Sequence, residues 1–191
     1  MRELRNNIEV ENQLVQLTAA NYPNEVRENL ETLTIELRDK DVIEVAKLAR
    51  KIFKKFAGSD YFDKEGIQGT LDFFDTEKRS AKELIECFRS KSMFFIAEDN
   101  NKIIGMIRGT SKNISSLYVD EKEHKKGIAT KLIQRYEKEA IKQGSDLITL
   151  ESTIYAMPFY KKMGFKKTTD IVNPNGMKSY MMEITLKNGN L

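Results

Sequence analysis

From residue 33 onward the apolar positions follow two rhythms. Leu33, Ile35 and Leu37 alternate with Thr34 and Glu36, the period of a half-buried strand. Val42, Val45, Ala46, Ala49, Ile52, Phe53 and Phe56 then recur at three- and four-residue intervals, which places them on one face of a helix. Asp41 and Glu44 have the spacing of a capping box at its start. Residues 58–69 read as a loop with at most a turn of helix, and a second helical region follows to about Phe88. Residues 93–97 and 102–108 predict two strands joined at Asp99, Asn100 and Asn101, residues suited to a tight hairpin turn. Residues 113–119 predict another strand. Ile128, Leu132, Ile133, Tyr136 and Ala140 mark one face of a helix that Gly144 ends. Residues 147–150 read as a strand and 155–163 as a short helix closed by Gly164. Residues 165–172 and 179–186 can pair as a last hairpin across 173–176. Strand, two helices, three strands, helix, strand, helix and two strands predict a mixed α/β sheet.

The first part of the chain is less patterned. Leu4, Ile8, Leu14, Val15 and Leu17 fit a helix loosely, and Pro23 breaks it or begins another. Residues 1–32 therefore read as a partly helical extension before one domain, 33–191. An apolar fraction of 40% is enough for a real core. Lysine and arginine number 32 against 29 aspartates and glutamates, a net charge of +3. That balance lacks the basic excess of a nucleic-acid binder. Cys87 is the only cysteine, which excludes an intrachain disulfide and a cysteine-built zinc site. No apolar run approaches the ~18 residues of a membrane span, and the N-terminus lacks the apolar centre of a signal peptide. The expectation is a soluble cytoplasmic protein that does not bind membranes.

The chemistry concentrates in two segments. After the strand ending Leu117-Tyr118-Val119 comes a charged loop, then His124-Lys125-Lys126-Gly127-Ile128-Ala129-Thr130, where a helix begins. The first N–H groups of a helix have no intrahelical partner, and the helix dipole adds partial positive charge there. Small residues at 127 and 129 let an anion approach the backbone, and Lys125 and Lys126 add charge. The same residues are also compatible with an ordinary helix start behind a solvated lysine pair. The second segment runs from Ser152 and Thr153 through Ala156, Phe159, Tyr160, Gly164 and Phe165. Taken alone, its aromatic residues suit a hydrophobic core.

Together, in this order and at this separation, the two segments resemble the GNAT superfamily of acyl-CoA-dependent N-acetyltransferases. That family's pyrophosphate motif is Gln/Arg-x-x-Gly-x-Gly/Ala. Here it reads His124-Lys125-Lys126-Gly127-Ile128-Ala129, so the first position departs from the pattern. The later signature, an alanine, an aromatic-tyrosine pair and Gly-Phe, is present as Ala156, Phe159, Tyr160, Gly164 and Phe165. The resemblance spans about residues 33–186 and implies a mixed, mostly antiparallel central sheet of about six to seven strands flanked by helices.

The resemblance also implies a chemistry. The fourth and fifth strands would splay, and the pantetheine arm of acetyl-CoA would lie between them on the main chain of Leu117, Tyr118 and Val119. Lys125, Lys126, Gly127, Ile128, Ala129 and Thr130, headed by His124, would hold the pyrophosphate. Ser152 and Thr153 stand near a position where many relatives carry a cofactor-contacting asparagine, and fit a helix cap equally well. A primary amine would attack the thioester directly. Neutralising a lysine-like amine at pH 7 costs roughly 4–5 kcal/mol, so a base is useful. Glu151 is the leading candidate, with Glu98, Asp120 or a water chain as alternatives. A backbone N–H near Val119 would stabilise the developing oxyanion, and Tyr160 would protonate the leaving thiolate.

The acceptor pocket would be built from residues 58–74 and 171–180. Asp60, Asp63, Glu65 and Asp72 there would suit a cationic small-molecule or peptide amine; the alternative reading is solvated and capping acids. No metal is implied. A non-catalytic acyl-CoA sensor and a protein-interaction module are the alternative readings. A homodimer would be one use for the apolar positions of the extension.

Overall fold

One seven-stranded sheet organises the molecule, in the order β1-β2-β3-β4-β5-β7-β6. The structure, a computed structural model, describes residues 33–56, 63–172 and 178–186. The extension 1–32, Asp60 of the expected pocket and the turn expected at 173–176 lie outside the described residues. The strands are β1 (Leu33–Glu36), β2 (Met93–Asp99), β3 (Lys102–Thr110), β4 (Asn113–Val119), β5 (Leu147–Thr153), β6 (Lys166–Lys167) and β7 (Ser179–Thr185). The helices are α1 (Val42–Phe56), α2 (Lys64–Phe73), α3 (Ala81–Arg89), α4 (Ile128–Lys142) and α5 (Met157–Lys162). Every strand pairing is antiparallel except β4 with β5.

Strand alternation sends side chains into two cores. On one face Val45, Ala46 and Ala49 of α1 and Leu84 and Phe88 of α3 pack against Phe94, Ile96 and Met106. On the other, Leu132, Ile133, Tyr136 and Ala140 of α4 pack against Phe95, Ile107, Ile148 and Leu150. The apolar faces expected of the helices at 42–56 and 128–142 are thus the buried ones. The β2–β3 hairpin also turns as expected, with Asn100 at φ 48° and Asn101 at φ 60°, the left-handed pair that a tight hairpin requires.

Three local expectations need correction. The region between α1 and β2 holds two helices rather than a loop and one helix. Asp63 accepts the Gly66 N–H at 2.7 Å and starts α2 despite the glycines that made 58–69 look like a loop. Ser80 and Glu83 then form a reciprocal capping box that starts α3. The capping box expected at Asp41 and Glu44 does not form. Asp41 is drawn into an ion pair with Arg38, and Glu44 accepts the Ile103 N–H at 3.2 Å. Finally, the strand expected at 165–172 shrinks to two residues, because the Thr169 hydroxyl takes the Met181 N–H at 3.1 Å in place of a backbone carbonyl.

The feature that shapes the site is a bulge in β4. Arg108 of β3 pairs with Ser116, whereas the next residue, Gly109, pairs with Ile114, so Ser115 is extra. Tyr136 of α4 reaches this point and donates to the carbonyls of Thr110 at 2.7 Å and Asn113 at 2.9 Å. The fit leaves no room for a side chain at 109: a Cβ there would stand 1.9 Å from the Asn113 carbonyl oxygen and 2.3 Å from the Tyr136 hydroxyl. Tyr136→Phe should therefore cost about 1–2 kcal/mol of stability, the usual effect of leaving buried carbonyls without their donor, and a lowered denaturant midpoint at unchanged slope would register it.

Candidate active site

β4 and β5 pair only at Asn113–Thr149 and Ile114–Leu150. Beyond these two pairs the strands separate. A bulge bends its strand and raises the local twist, and this one lies where the separation begins. The opening is held from both sides: β4 stays on β3 through Val119, and β5 stays on β7 through Thr153. Leu117, Tyr118 and Val119 therefore border a wedge-shaped gap with Glu151, Ser152 and Thr153 opposite. A parallel pair opened in this way leaves edge amides and carbonyls free to pair with an extended ligand.

The wedge leads to the start of α4. Lys125 at φ 65° and Gly127 at φ 80° take left-handed backbone on either side of Lys126. Such alternation turns successive N–H groups toward one side and forms an anion-binding concavity. The first intrahelical bond is Lys131 N–H to the Gly127 carbonyl at 3.0 Å, so the N–H groups of Ile128, Ala129 and Thr130 precede the helix ladder. Space beside Gly127 is open, with nothing within 4 Å of where a Cβ would stand. Lys126 pairs with Glu123 at 3.0 Å, on a side chain still half exposed.

His124 is occupied differently from the motif's usual glutamine or arginine. Its Nε2 donates to the Val119 carbonyl at 3.1 Å, and its ring stacks on Phe56 at 5.7 Å. Tyr155 stacks against the same Phe56 ring at 5.5 Å. The three rings tie the end of α1, the loop before α4 and the turn after β5 together.

Tyr160 is 7% exposed, and its ring meets Phe159 at 5.3 Å and Phe165 at 5.6 Å. No group among the described residues hydrogen-bonds its hydroxyl. Burial, with the Tyr118 phenol nearby, pushes the Tyr160 pKa far above its ordinary value. Burial also pushes Tyr118 up to about 12. Both phenols thus keep their protons at neutral pH.

Glu151 is the first β5 residue past the last β4 pair, and its side chain points away from α4. It accepts the Ser179 hydroxyl at 2.6 Å. Ser152, on the α4 side, is buried and donates to the Thr153 carbonyl at 2.9 Å. The Thr153 hydroxyl accepts the Ala156 N–H at 3.1 Å and so shapes the turn into α5. Glu98 is paired with Arg38. Burial disfavours the Asp120 charge, but the Lys122 N–H and the Lys51 ammonium at 3.0 Å outweigh it and hold the carboxyl below its ordinary value. These two acids are committed elsewhere.

Sequence reasoning missed Arg108. It lies on β3, 6% exposed, opposite Ser116 and on the same face as Tyr118. A signal existed: alternation along 102–110 puts position 108 on the face of buried Met106, so the strand carries a charge into the core. Among the described residues, no group of three or more histidines, cysteines or acids could hold a metal ion, and no helix is long and apolar enough to cross a membrane.

Comparison with known proteins agrees with this geometry. The structure resembles a GCN5-related N-acetyltransferase from Rhodopseudomonas palustris at a TM-score of 0.66, with 16% identity over 81% of this chain and 95% of that one. It resembles a PaiA N-acetyltransferase from Thermoplasma acidophilum, solved in complex with coenzyme A, at 0.63, with 22% identity over 82% and 99%. An aminoglycoside 6′-N-acetyltransferase complexed with coenzyme A matches at 0.60, with 18% identity over 81% and 97%. At these identities the likeness is one of fold. Comparison with curated proteins gives no match. A family model described as an acetyltransferase (GNAT) domain matches residues 59–186. With that match over most of the chain, on a sheet opened between β4 and β5, the chain belongs to the GNAT acetyltransferase family.

Proposed function

We propose that this protein transfers an acetyl group from acetyl-CoA to a primary amine by direct attack. The observation that carries the reading is the wedge between β4 and β5 opening onto the unpaired N–H groups of α4 behind left-handed Gly127. The parts suit coenzyme A in chemistry and in order. Residues 125–130 offer backbone donors and two ammonium groups to a pyrophosphate. The open edges of β4 and β5 suit the amide-bearing pantetheine arm. When bound, acetyl-CoA supplies an activated carbonyl and a thiolate leaving group.

The chain's own residues then have three tasks. A β4 backbone N–H near Val119 stabilises the carbonyl oxygen as negative charge develops on it. Glu151, held by Ser179, accepts the proton that the amine must lose. Tyr160 holds a proton for the departing sulfur. His124 acts by bracing the Val119 carbonyl and the loop rather than by touching phosphate with Nε2. Ser152 and Thr153 shape the turn at the mouth of the wedge, and their cofactor contacts come through the backbone.

Isothermal calorimetry tests the reading at its base. Acetyl-CoA should bind with a micromolar dissociation constant, free CoA comparably, and dephospho-CoA with little loss, since residues 125–130 address the pyrophosphate rather than the ribose phosphate. Absence of heat up to millimolar acetyl-CoA would refute the cofactor assignment and the reaction with it.

A further inference from the structure

Arg108 presents an unresolved charge. Its guanidinium carbon lies 4.8 Å from the Phe73 ring centre and 5.6 Å from that of Phe88. The two ring centres stand 6.3 Å from one another, and the rings offer π-electrons but no oxygen acceptor to its N–H donors. Nε and Nη1 are fully buried and have no hydrogen-bond partner. No described carboxylate lies within ion-pair distance of Arg108. A buried cation without a counter-ion costs several kcal/mol. Arginine's fork is suited to a planar carboxylate, which would satisfy Nε together with Nη2, the side-on pair by which Arg38 holds Asp41.

The position is suggestive of a substrate contact. Arg108 pairs with Ser116 beside the β4 bulge, and Tyr118, two residues further along β4 on the same face, borders the wedge. Two of the acids expected to attract a simple cation are engaged otherwise: Asp63 caps α2, and Asp72 pairs with Lys78 at 2.7 Å.

We infer that Arg108 recognises a carboxylate on the acceptor, so that the acceptor is an amine which also carries a carboxylate: an amino acid or a short peptide. This rests on the acetyl transfer proposed above and narrows its substrate class. The attacking amine approaches the wedge while the carboxylate docks on the in-plane donors of Arg108.

The test uses matched acceptors with the full chain and acetyl-CoA: L-amino acids and dipeptides against their C-terminal amides, with free thiol as the readout. The acids should show KM values at least tenfold below those of the amides. Arg108→Met keeps side-chain length and removes the charge. It should raise KM for the acids at least tenfold, leave KM for the amides unchanged, and leave Tm equal or higher. Arg108→Lys keeps the charge without the fork and should retain part of the preference. A structural arginine would instead lower Tm and leave the acid-to-amide ratio untouched. Normal acetyl-CoA binding with equal use of acids and amides, or use of neither, overturns the carboxylate assignment alone. Failure of acetyl-CoA to bind by calorimetry overturns the acetyl transfer and this inference together.

Discussion

Gly127→Glu should weaken acetyl-CoA binding by at least 100-fold. Position 127 lies at the N-terminus of α4, where the proposed pyrophosphate meets the helix. A carboxylate there would face the ligand's negative charges at contact range, where one like-charge pair costs about 4 kcal/mol at an effective dielectric constant near 20. The protein itself offers no obstacle, since nothing lies within 4 Å of the added Cβ. The left-handed backbone at φ 80° adds strain of roughly 1–2 kcal/mol for any side chain. Gly127→Ala separates the two effects. Alanine should lose that stability yet keep acetyl-CoA affinity within about tenfold, whereas glutamate should lose affinity far beyond what strain explains. Calorimetry and chemical denaturation on both variants measure each term. Unchanged affinity in the glutamate variant would remove residues 125–130 from the cofactor site.

Tyr160→Phe should lower kcat by about 10²-fold or more while leaving acetyl-CoA affinity unchanged, the range expected when a positioned general acid is lost. The substitution is conservative for packing, because Phe159 and Phe165 contact the ring rather than the hydroxyl. The pH profile supplies the second signature. A raised pKa means that the protonated form persists below it, so the Tyr160 acid stays loaded at neutral pH and beyond the ordinary tyrosine value near 10. The wild-type rate should rise with pH as the amine loses its proton, and should not fall as pH passes 10. Thiol release followed at saturating acetyl-CoA reads both quantities. A wild-type kcat in the phenylalanine variant would take Tyr160 out of the acid role.

Much of this architecture is legible along the chain because burial writes a period into it. The faces of α1 and α4 follow directly from their three- and four-residue spacing, and the Asn100–Asn101 hairpin from residues that tolerate left-handed backbone. The left-handed backbone at Gly127 is legible for the same local reason: a glycine at a strand-to-helix junction has a backbone consequence wherever it stands. The misreadings came where a local signal competed with a distant partner. Asp41 and Glu44 have capping-box spacing, but Arg38 and the Ile103 amide compete for them and win. Gly66 and Gly69 weaken helix propensity, yet α2 forms because Asp63 caps it. Residues 165–172 are placed to pair with 179–186 as a hairpin, yet the ladder gives way where Thr169 substitutes a hydroxyl for a carbonyl.

The candidate site divides along the same line. The sequence alone determined the candidate segments and their order, because motif spacing is set by contiguous backbone. Only tertiary structure decided what those residues touch. It turned Nε2 of His124 onto Val119, joined Glu151 to Ser179 across two strands, and placed the Tyr136 hydroxyl on the bulge where β4 leaves β5. It also placed the charge of Arg108 against two aromatic rings with Nε and Nη1 unpartnered. Pairings of this kind join residues far apart in the chain, and their energies depend on burial and on the full set of competing partners. Neither quantity is written in local periodicity; both arise when the sheet and its two helical layers close on one another.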